Sequence, residues 1–324
     1  MAGCYIVTGA AGFIGSHVAR ALLDRGDRVV GVDNYDAFYE RGVKEANAAR
    51  LAGERFELVE ADIRDREVIV ELFEAHRPHA VYHLAALAGV RPSIEDPGRY
   101  ASVNVDGLVA VLDAARGSSC RRVLFASSSS VYGNNRKVPF AETDPVNEPI
   151  SPYAATKRSG ELLCHAYAHL FDLSIACLRL FTVFGPAQRP DLAIGKFMRL
   201  IAAGGPVPMF GDGTTSRDYT YVADIVGGCL AAETRLDSEP GGFYRIWNLG
   251  GSHPVTLAEM VEAIGEVLGR TPEIERLPLQ AGDVDRTWAD LTRSRAELGY
   301  EPKVSFADGL RRQWAWMQEA IPAG

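Results

Sequence analysis

Cys4-Tyr5-Ile6-Val7-Thr8-Gly9-Ala10-Ala11-Gly12-Phe13-Ile14-Gly15 joins an apolar, strand-like run to a glycine-rich turn and then to an amphipathic helix pattern. This order is the one that a dinucleotide-binding turn requires. Gly9 permits a tight turn, Gly12 lets the backbone approach a pyrophosphate, and Gly15 allows close packing of the helix. The amide groups at the start of the helix favour a phosphate. The segment therefore predicts a βαβ unit that binds a dinucleotide at its first turn.

An acidic residue strengthens this prediction, because three glycines alone are weak evidence. Asp33 ends the second apolar run, roughly 20 residues after the turn, where a carboxylate bonds the adenosine ribose hydroxyls. A carboxylate there repels a 2′-phosphate, so NAD is favoured over NADP. Phe13, Ile14 and Asn34 lie beside these residues and are further predicted contacts of the cofactor.

Short apolar runs alternate with helical patterns through the first half of the chain. Such strands, separated by helices, indicate right-handed βαβ units and a parallel sheet covered on both faces. We expect two domains, the first an α/β, Rossmann-type, doubly wound parallel sheet formed by residues 1–180, with 218–249 returning to it. Beyond Phe181 the pattern changes to Gly- and Pro-rich turns. Residues 181–217 and 250–324 are therefore predicted to form a smaller mixed α/β substrate-binding domain.

Later strands of the predicted sheet end in residues that would face the same ligand. Ligands of open parallel sheets bind at the carboxyl ends of the strands. Asn104 is equally suited to capping a helix. The further predicted cofactor contacts are Asp62, Ile63, Leu84, Ala85, Ala86 and Asn104.

Tyr153-Ala154-Ala155-Thr156-Lys157 places a tyrosine and a lysine on one face of a helix that Ser151 and Pro152 begin. A free tyrosine has a pKa near 10, but a lysine ammonium and a positive nicotinamide ring would favour the phenolate. Tyr153 then suits a general base, and Lys157 also suits cofactor binding. The serine run at 127–130 ends the fifth apolar run, where a hydroxyl can donate to the reacting oxygen.

With these motifs the chain resembles, over essentially its whole length, the extended short-chain dehydrogenases/reductases of the nucleotide-sugar epimerase group. The resemblance implies that Ser128 is the catalytic serine, because the family residue lies three positions before the valine of Val131-Tyr132-Gly133. Sugar-nucleotide dehydratases of the group carry Asp-Glu in the next two positions, and decarboxylases usually carry a glutamate directly before the valine. Here Ser129 and Ser130 stand there, which implies epimerisation at C4 with NAD recycled.

Within this group, the segment Phe181-Thr182-Val183-Phe184-Gly185-Pro186, followed by Arg189-Pro190-Asp191, resembles the UDP-glucuronate 4-epimerases. The segments His83-Leu84-Ala85-Ala86 and Ala88-Gly89-Val90-Arg91 resemble them as well. UDP-glucose 4-epimerases commonly have asparagine where Thr182 stands. The resemblance implies that Thr182 and Arg189 bind the sugar carboxylate, with Ser129 and Ser130 as further donors. A solvated surface arginine beside a proline-rich turn is the alternative for Arg189.

The resemblance also assigns residues to the nucleotide end of the substrate. Arg217 matches the family arginine that meets the diphosphate, and Asp283 matches a position near the uridine ribose. Many relatives carry an arginine where this chain has Gln280. Arg91 and Arg286 are the candidates to replace that charge, and Arg286 is equally consistent with a surface residue.

The composition limits the kinds of partner and the cellular location that we expect for the protein. The net charge of −8, without a long run of like charge, favours neither nucleic acid nor a membrane surface as partner. No run approaches the ~20 apolar residues of a membrane span, and Met1 leads directly into a strand-like run, so no signal peptide is expected. The five cysteines and seven histidines show no metal-ligand spacing. We expect a cytoplasmic protein without a metal and, by analogy with relatives, a homodimer that pairs the helices after Val103 and Tyr153.

Three other functions stay open. The chain could epimerise a neutral UDP-hexose, and product separation with UDP-glucuronate, UDP-glucose and UDP-N-acetylglucosamine discriminates these. It could be an inactive NAD-binding regulator, although Ser128, Tyr153 and Lys157 are all present. It could be a net oxidoreductase, in which case NADH would accumulate in proportion to substrate.

Overall fold

The computed structural model describes residues 2–278 and 285–320, in which the apolar runs of the sequence form strands and the amphipathic segments form helices. A π-helical turn spans Ser102–Asp106, and a 3-10 turn spans Ser129–Tyr132. The strands are β1 (Cys4–Thr8), β2 (Arg28–Asp33), β3 (Phe56–Glu60), β4 (Ala80–His83), β5 (Arg122–Ser128), β6 (Ser174–Leu180), β7 (Thr182–Phe184), β8 (Val207–Phe210), β9 (Ser216–Tyr221), β10 (Tyr244–Leu249), β11 (Pro254–Thr256) and β12 (Ile274–Leu277). The helices are α1 (Phe13–Asp24), α2 (Arg41–Ala49), α3 (Arg66–His76), α4 (Val90–Glu95), α5 (Pro97–Ala101), α6 (Gly107–Gly117), α7 (Pro152–Phe171), α8 (Ala193–Ala202), α9 (Val222–Asp237), α10 (Leu257–Leu268), α11 (Thr292–Leu298) and α12 (Phe306–Ala320).

The main sheet has the order β10-β6-β5-β4-β1-β2-β3, and every pairing in it is parallel. From β1 the chain adds β2 and β3 on one side and then returns to add β4, β5 and β6 on the other. Ligands of such sheets bind where the direction of strand addition reverses, which here lies between β1 and β4. The predicted Rossmann-type, doubly wound sheet is confirmed.

Alternate residues of each strand pack on opposite faces of the sheet, as the period of a strand requires. Val7 belongs to the core on the side of α1 and α9, whereas Ile6 belongs to the core on the side of α3, α6 and α7. Both side chains are buried because helices cover both faces. This explains why the strands are apolar at nearly every position.

Two smaller sheets lie beyond the main one, with the orders β11-β9-β7 and β12-β8. The first is mixed, since β9 is parallel to β7 and antiparallel to β11. The buried Asp218 carboxylate joins the loops around this sheet by accepting the backbone N–H groups of Gly251 (2.7 Å), Ser252 (3.0 Å) and Ala289 (2.8 Å). Burial raises the pKa of Asp218 to about 6. Within the two described ranges, 2–278 and 285–320, no helix has the length and apolar character needed to cross a bilayer.

Candidate active site

A cleft lies at the carboxyl ends of the central strands, between the main sheet and the segment that follows β6. The glycine turn closes one end of it, and the residues after β7 close the other. Many of the residues that the sequence predicts to bind cofactor or substrate, or to act in catalysis, lie together in this cleft. Those that line the cleft are Gly9, Gly12, Phe13, Ile14, Gly15, Asp33, Asn34, Ile63, Leu84, Ala85, Ala86, Ser128, Tyr153, Lys157, Thr182 and Arg189.

The glycine turn has the close backbone approaches that require glycine. Gly9 has a φ of +73° and donates its N–H to the carbonyl of Val32 at 2.7 Å. A Cβ added to Gly15 would lie only 2.0 Å from the carbonyl oxygen of Gly9, so any larger residue would push α1 away from β1. Gly12 precedes α1, and no side chain caps the first amides of that helix. The turn therefore fits the pyrophosphate of a dinucleotide.

Asp33 lies at the end of β2 with its side chain buried beside the turn. Its carboxylate accepts the N–H groups of Ala11 at 3.1 Å and Tyr35 at 2.9 Å, while burial raises its pKa. The carboxylate therefore holds the glycine turn and the loop after β2 together. Its four lone-pair sites leave capacity for the ribose hydroxyls that sequence analysis assigns to it.

Asp62 follows β3 and is engaged by protein groups. Arg64 Nη2 lies 2.7 Å from Asp62 Oδ2, and Asn34 Nδ2 donates to the same oxygen at 2.9 Å. The guanidinium of Arg64 is the main cause that lowers the pKa of Asp62 to about 2. Asp62 is not among the described residues that line the cleft, whereas its neighbour Ile63 is.

Asn104 lies inside the π-helical turn and does not cap a helix. Its amide accepts the N–H of Leu87 at 2.8 Å, donates to the carbonyl of Leu87 at 3.0 Å, and donates to Thr156 Oγ1 at 3.0 Å. Asn104 therefore ties the segment after β4 to α7. Its contacts with the protein are structural ones.

Tyr153 and Lys157 lie in the first two turns of α7. The Ser151 hydroxyl caps this helix by accepting the N–H of Ala154 at 3.1 Å, and Pro152 occupies its first position. Lys157 is buried and donates its ammonium to the carbonyl of Ala126 at 2.7 Å. Burial lowers the pKa of Lys157 to about 8. The cation is therefore anchored to the end of β5, with Nζ 5.9 Å from the centre of the Tyr153 ring.

Burial and two neighbouring side chains act on the pKa of the Tyr153 phenol. Burial raises the pKa of its phenol, while a hydrogen bond with Ser128 and the charge of Arg189 lower it. Lys157, which the sequence predicts to favour the phenolate, donates to a backbone carbonyl, and its Nζ lies 5.9 Å from the centre of the Tyr153 ring. Ser128 and Arg189 thus favour the charged form of Tyr153.

The serines at 127–130 differ in their hydrogen-bond partners and in their position relative to the cleft. Ser127 donates to the buried carboxylate of Glu161 at 2.7 Å, so its hydroxyl is already committed. Ser128 ends β5, and its hydroxyl lies 3.2 Å from that of Ser130. Ser129 and Ser130 lie in the 3-10 turn and are not among the described residues that line the cleft.

Thr182 and Arg189 lie on the other wall of the cleft. Thr182 begins β7, and Arg189 belongs to the loop that precedes α8. The side chain of Arg189 is only 16% exposed. It is therefore mostly buried in the cleft wall rather than solvated at the surface.

Three arginines proposed for the nucleotide end, Arg91, Arg217 and Arg286, are not among the described residues that line this cleft. The guanidinium of Arg91 is 5.6 Å from the centre of the Phe210 ring, and Arg217 donates to the carbonyl of Ser216 at 2.9 Å. Arg286 is exposed and donates to the carbonyl of Arg136 at 3.2 Å. Asp283 and Gln280 lie outside the described residues.

Several residues of the cleft wall are missing from the sequence-based set, and four of them lie outside the predicted motifs. Phe38, Tyr39 and Lys44 come from the loop after β2 and the start of α2, and Leu192 precedes α8. Lys44 donates to the carbonyl of Asp36 at 2.7 Å. The aromatic pair Phe38-Tyr39, a few residues after the acidic end of β2, was the available signal, but no periodic pattern predicts the path of an irregular loop.

His83 and a second polar cluster lie outside the reacting part of the cleft. Burial lowers the pKa of His83 to about 3, so the ring is neutral, and its Nδ1 lies 2.9 Å from Thr8 Oγ1. His79, Glu233 and Asp237 come within 4.8 Å of one another although the sequence shows no metal spacing. Arg25 donates to Glu233 at 2.8 Å, which already supplies the carboxylate with a cation.

A model of the NAD-dependent epimerase/dehydratase family matches residues 5–250. The chain is 39% identical to a UDP-glucuronate 4-epimerase of Thermodesulfobacterium geofontis over 98% of this chain and 97% of the relative. The structure of a Bacillus cereus UDP-glucuronic acid 4-epimerase in complex with UDP-glucuronic acid and NAD aligns with a TM-score of 0.91 and 34% identity, covering 98% of this chain and 100% of that one. A Thermotoga maritima UDP-glucose 4-epimerase with UDP-glucose aligns with a TM-score of 0.89 and 32% identity, covering 98% and 99%.

Proposed function

Because the chain belongs to the NAD-dependent epimerase/dehydratase family, we propose that it is an isomerase that inverts C4 of a UDP-sugar, with bound NAD recycled. UDP-glucuronate and UDP-galacturonate are the proposed pair. The observation that carries this choice is the position of Arg189, a mostly buried cation in the same cleft as Tyr153. A cation there suits a sugar that bears a carboxylate.

The residues of the cleft divide the proton chemistry among them. NAD, when bound, supplies a hydride acceptor and donor for C4. Tyr153 takes the proton of the C4 hydroxyl as general base and returns it after the ring has turned over. Ser128 donates to the reacting oxygen, and Lys157 anchors the start of α7 to the end of β5.

The carboxylate has to be held firmly because of its chemistry. In the 4-keto sugar the C6 carboxylate is β to the ketone, and such acids lose CO2 easily. Thr182 and Arg189 hold the carboxylate so that the C5–C6 bond stays out of line with the carbonyl π system. Ser129 and Ser130 are proposed as further donors that would approach once substrate is present.

The nucleotide end of the substrate is assigned to Arg91, Arg217 and Asp283. The units we propose are residues 1–180 with 218–249 for NAD, and 181–217 with 250–324 for the UDP-sugar. Support for the first unit comes from α9, which packs on α1, and from β10, which pairs with β6. Asn34 and Asp62 are kept as cofactor contacts on the same edge of the sheet.

The assay that tests the function compares UDP-glucuronate, UDP-glucose and UDP-N-acetylglucosamine with separation of the products. We expect UDP-galacturonate from the first substrate at the highest kcat/KM, with no accumulation of NADH. Preferred turnover of a neutral hexose would make the chain a UDP-hexose 4-epimerase, as the likeness to the Thermotoga maritima enzyme allows. NADH formed in proportion to substrate would identify a net oxidoreductase, and no turnover would favour a regulator.

Replacing Arg189 by alanine is expected to raise KM for UDP-glucuronate about tenfold to hundredfold, since a bond to a charged group contributes roughly 1.5–3 kcal/mol. A UDP-pentose by-product should appear, because the carboxylate is no longer held. Steady-state kinetics and product chromatography measure both effects. Arg28→Ala is the control, because Arg28 forms an exposed ion pair with Glu57 at the start of β2. Unchanged KM together with no pentose would contradict the role of Arg189.

The outer face of α7 supports a homodimer. Leu162 and Leu170 are 55% and 66% exposed and lie on one side of that helix. Large apolar side chains exposed together mark interaction surfaces. We expect the Leu162→Asp/Leu170→Asp variant to elute as a monomer while the wild type has twice that mass in light scattering. Ile274→Asp, a change at an exposed apolar residue of β12, should leave the mass unchanged, and a monomeric wild type would refute the proposal.

We place the protein in the cytoplasm. All five cysteines are free thiols, and four of them are buried. Free thiols fit a reducing compartment, since disulfides form in oxidising ones.

A further inference from the structure

Arg189, the proposed ligand of the sugar carboxylate, is already held by a carboxylate of its own chain. Its Nε lies 3.1 Å from Asp191 Oδ1, and its Nη2 lies 3.0 Å from Asp191 Oδ2. This bidentate geometry is the one by which a guanidinium binds any carboxylate. Asp191 thus makes with Arg189 the kind of contact that a uronate substrate would make.

The surroundings of the two side chains differ. The guanidinium of Arg189 lies 5.1 Å from the centre of the Phe38 ring and is only 16% exposed, whereas the side chain of Asp191 is 45% exposed. Burial raises the pKa values of Tyr153 and Tyr100, and the charge of Arg189 opposes that rise at both phenols. The cation is therefore fixed in the cleft wall, while the carboxylate stands at the water-facing side.

We propose that Asp191 is an internal competitor for Arg189 and thereby sets the preference of the cleft between charged and neutral sugars. This inference rests on the proposed function. With a uronate bound, the carboxylate of the substrate takes over donors of Arg189 and Asp191 turns outward. With a neutral sugar bound, Asp191 stays on Arg189.

The exchange is physically feasible because Asp191 is half exposed. An exposed carboxylate recovers its hydration when it leaves the ion pair, so little free energy is lost. A neutral sugar would otherwise leave a mostly buried guanidinium without an anion, which is unfavourable. Asp191 therefore reduces the free-energy cost of binding a neutral sugar. By repulsion, it weakens the binding of a charged one.

The local chain geometry keeps the competitor in place without any ligand. A turn closes over the segment, since Leu192 donates its N–H to the carbonyl of Arg189 at 3.2 Å. Arg199 donates to the carbonyl of Pro190 at 2.5 Å, which ties the turn to α8. The pairing of Asp191 with Arg189 is thus a local contact that needs no partner from elsewhere.

The test replaces Asp191 by asparagine and, separately, by alanine. We expect KM for UDP-glucuronate to fall about threefold to fivefold, the range that an exposed ion pair allows, while KM for UDP-glucose stays the same or rises. Calorimetric binding of both sugars to the same variants carrying Tyr153→Phe measures affinity without turnover. Asp24→Asn is the matched control, because Asp24 pairs with Arg20 at 3.5 Å at the far end of α1.

Two results would contradict the proposed competition between Asp191 and the substrate carboxylate. Weaker binding of UDP-glucuronate in both Asp191 variants would overturn the proposal, because Asp191 would then orient Arg189 instead of competing for it. Equal changes for both sugars would overturn it as well. Wild-type turnover of UDP-glucuronate tests the proposed function separately, and the calorimetric comparison applies even to a chain that does not turn that sugar over.

Discussion

Tyr153→Phe is expected to lower kcat for epimerisation of UDP-glucuronate by about 10²–10⁴-fold, the contribution of a positioned general base. The variant keeps the aromatic ring that packs edge-on against Tyr100 with 6.4 Å between ring centres. Only the oxygen to which we assign the proton exchange with the C4 hydroxyl is lost. Turnover of separated UDP-sugars measures the effect, and calorimetry should find substrate affinity within a few-fold of the wild type.

The control for this change lies on the same helix. Tyr167 also ends in a hydroxyl, which donates to Asp113 at 2.8 Å, far from the cleft. Tyr167→Phe should turn over substrate like the wild type. If Tyr153→Phe retained full turnover, the proton would have to leave through another group, and the assignment of Tyr153 as the base would be wrong.

Glu161→Ala is expected to lower the free energy of unfolding by about 3–5 kcal/mol, because it leaves a buried charge without its partner. Glu161 is fully buried on α7, and its carboxylate accepts Nε and Nη2 of the buried Arg179 at 2.8 and 2.9 Å. Ser127 donates to the same carboxylate at 2.7 Å. These bonds join α7 to β5 and β6 beside the proposed catalytic residues. Urea unfolding followed by circular dichroism measures the loss.

Two further variants test whether the loss of stability comes from the unpaired buried charge. Glu45→Ala removes an exposed glutamate that pairs with Arg41 at 2.8 Å, and we expect a change below about 1 kcal/mol. Replacing Glu161 by glutamine together with Arg179 by methionine removes both charges and should restore part of the stability. A small effect of Glu161→Ala would show that water reaches Arg179 after the substitution.

The sequence alone predicted the main sheet well because its signals are local. The apolar runs predicted as strands at 4–8 and 56–60 form β1 and β3 with the same bounds. The run predicted at 28–32 forms β2, which also includes Asp33. The helix pattern at 257–268 became α10, which starts with the capping box of Thr256 and Glu259. Strand and helix periods, glycine turns and caps each depend on residues a few positions apart, so one sequence displays them.

Long-range contacts within the candidate site were harder to predict. The hydrogen bond from the Lys157 ammonium to the carbonyl of Ala126 on β5 was not predicted from the sequence. The cleft residues Phe38 and Tyr39 were missed because they belong to an irregular loop. Contacts of this kind depend on which strand ends become neighbours, and no local pattern contains that information.

The sequence by itself determined the parallel sheet, the dinucleotide turn from Gly9 to Gly15 and the presence of Tyr153 and Lys157 on one helix face. Only the tertiary structure decided that Ser127 points to Glu161 while Ser128 ends its strand at the cleft, and that Arg189 is held by Asp191 in the wall facing Tyr153. The physical reason is the range of the interactions. Turns and helix faces follow from neighbouring residues, whereas the burial and charge pairing of a side chain follow from the packing of distant segments around it.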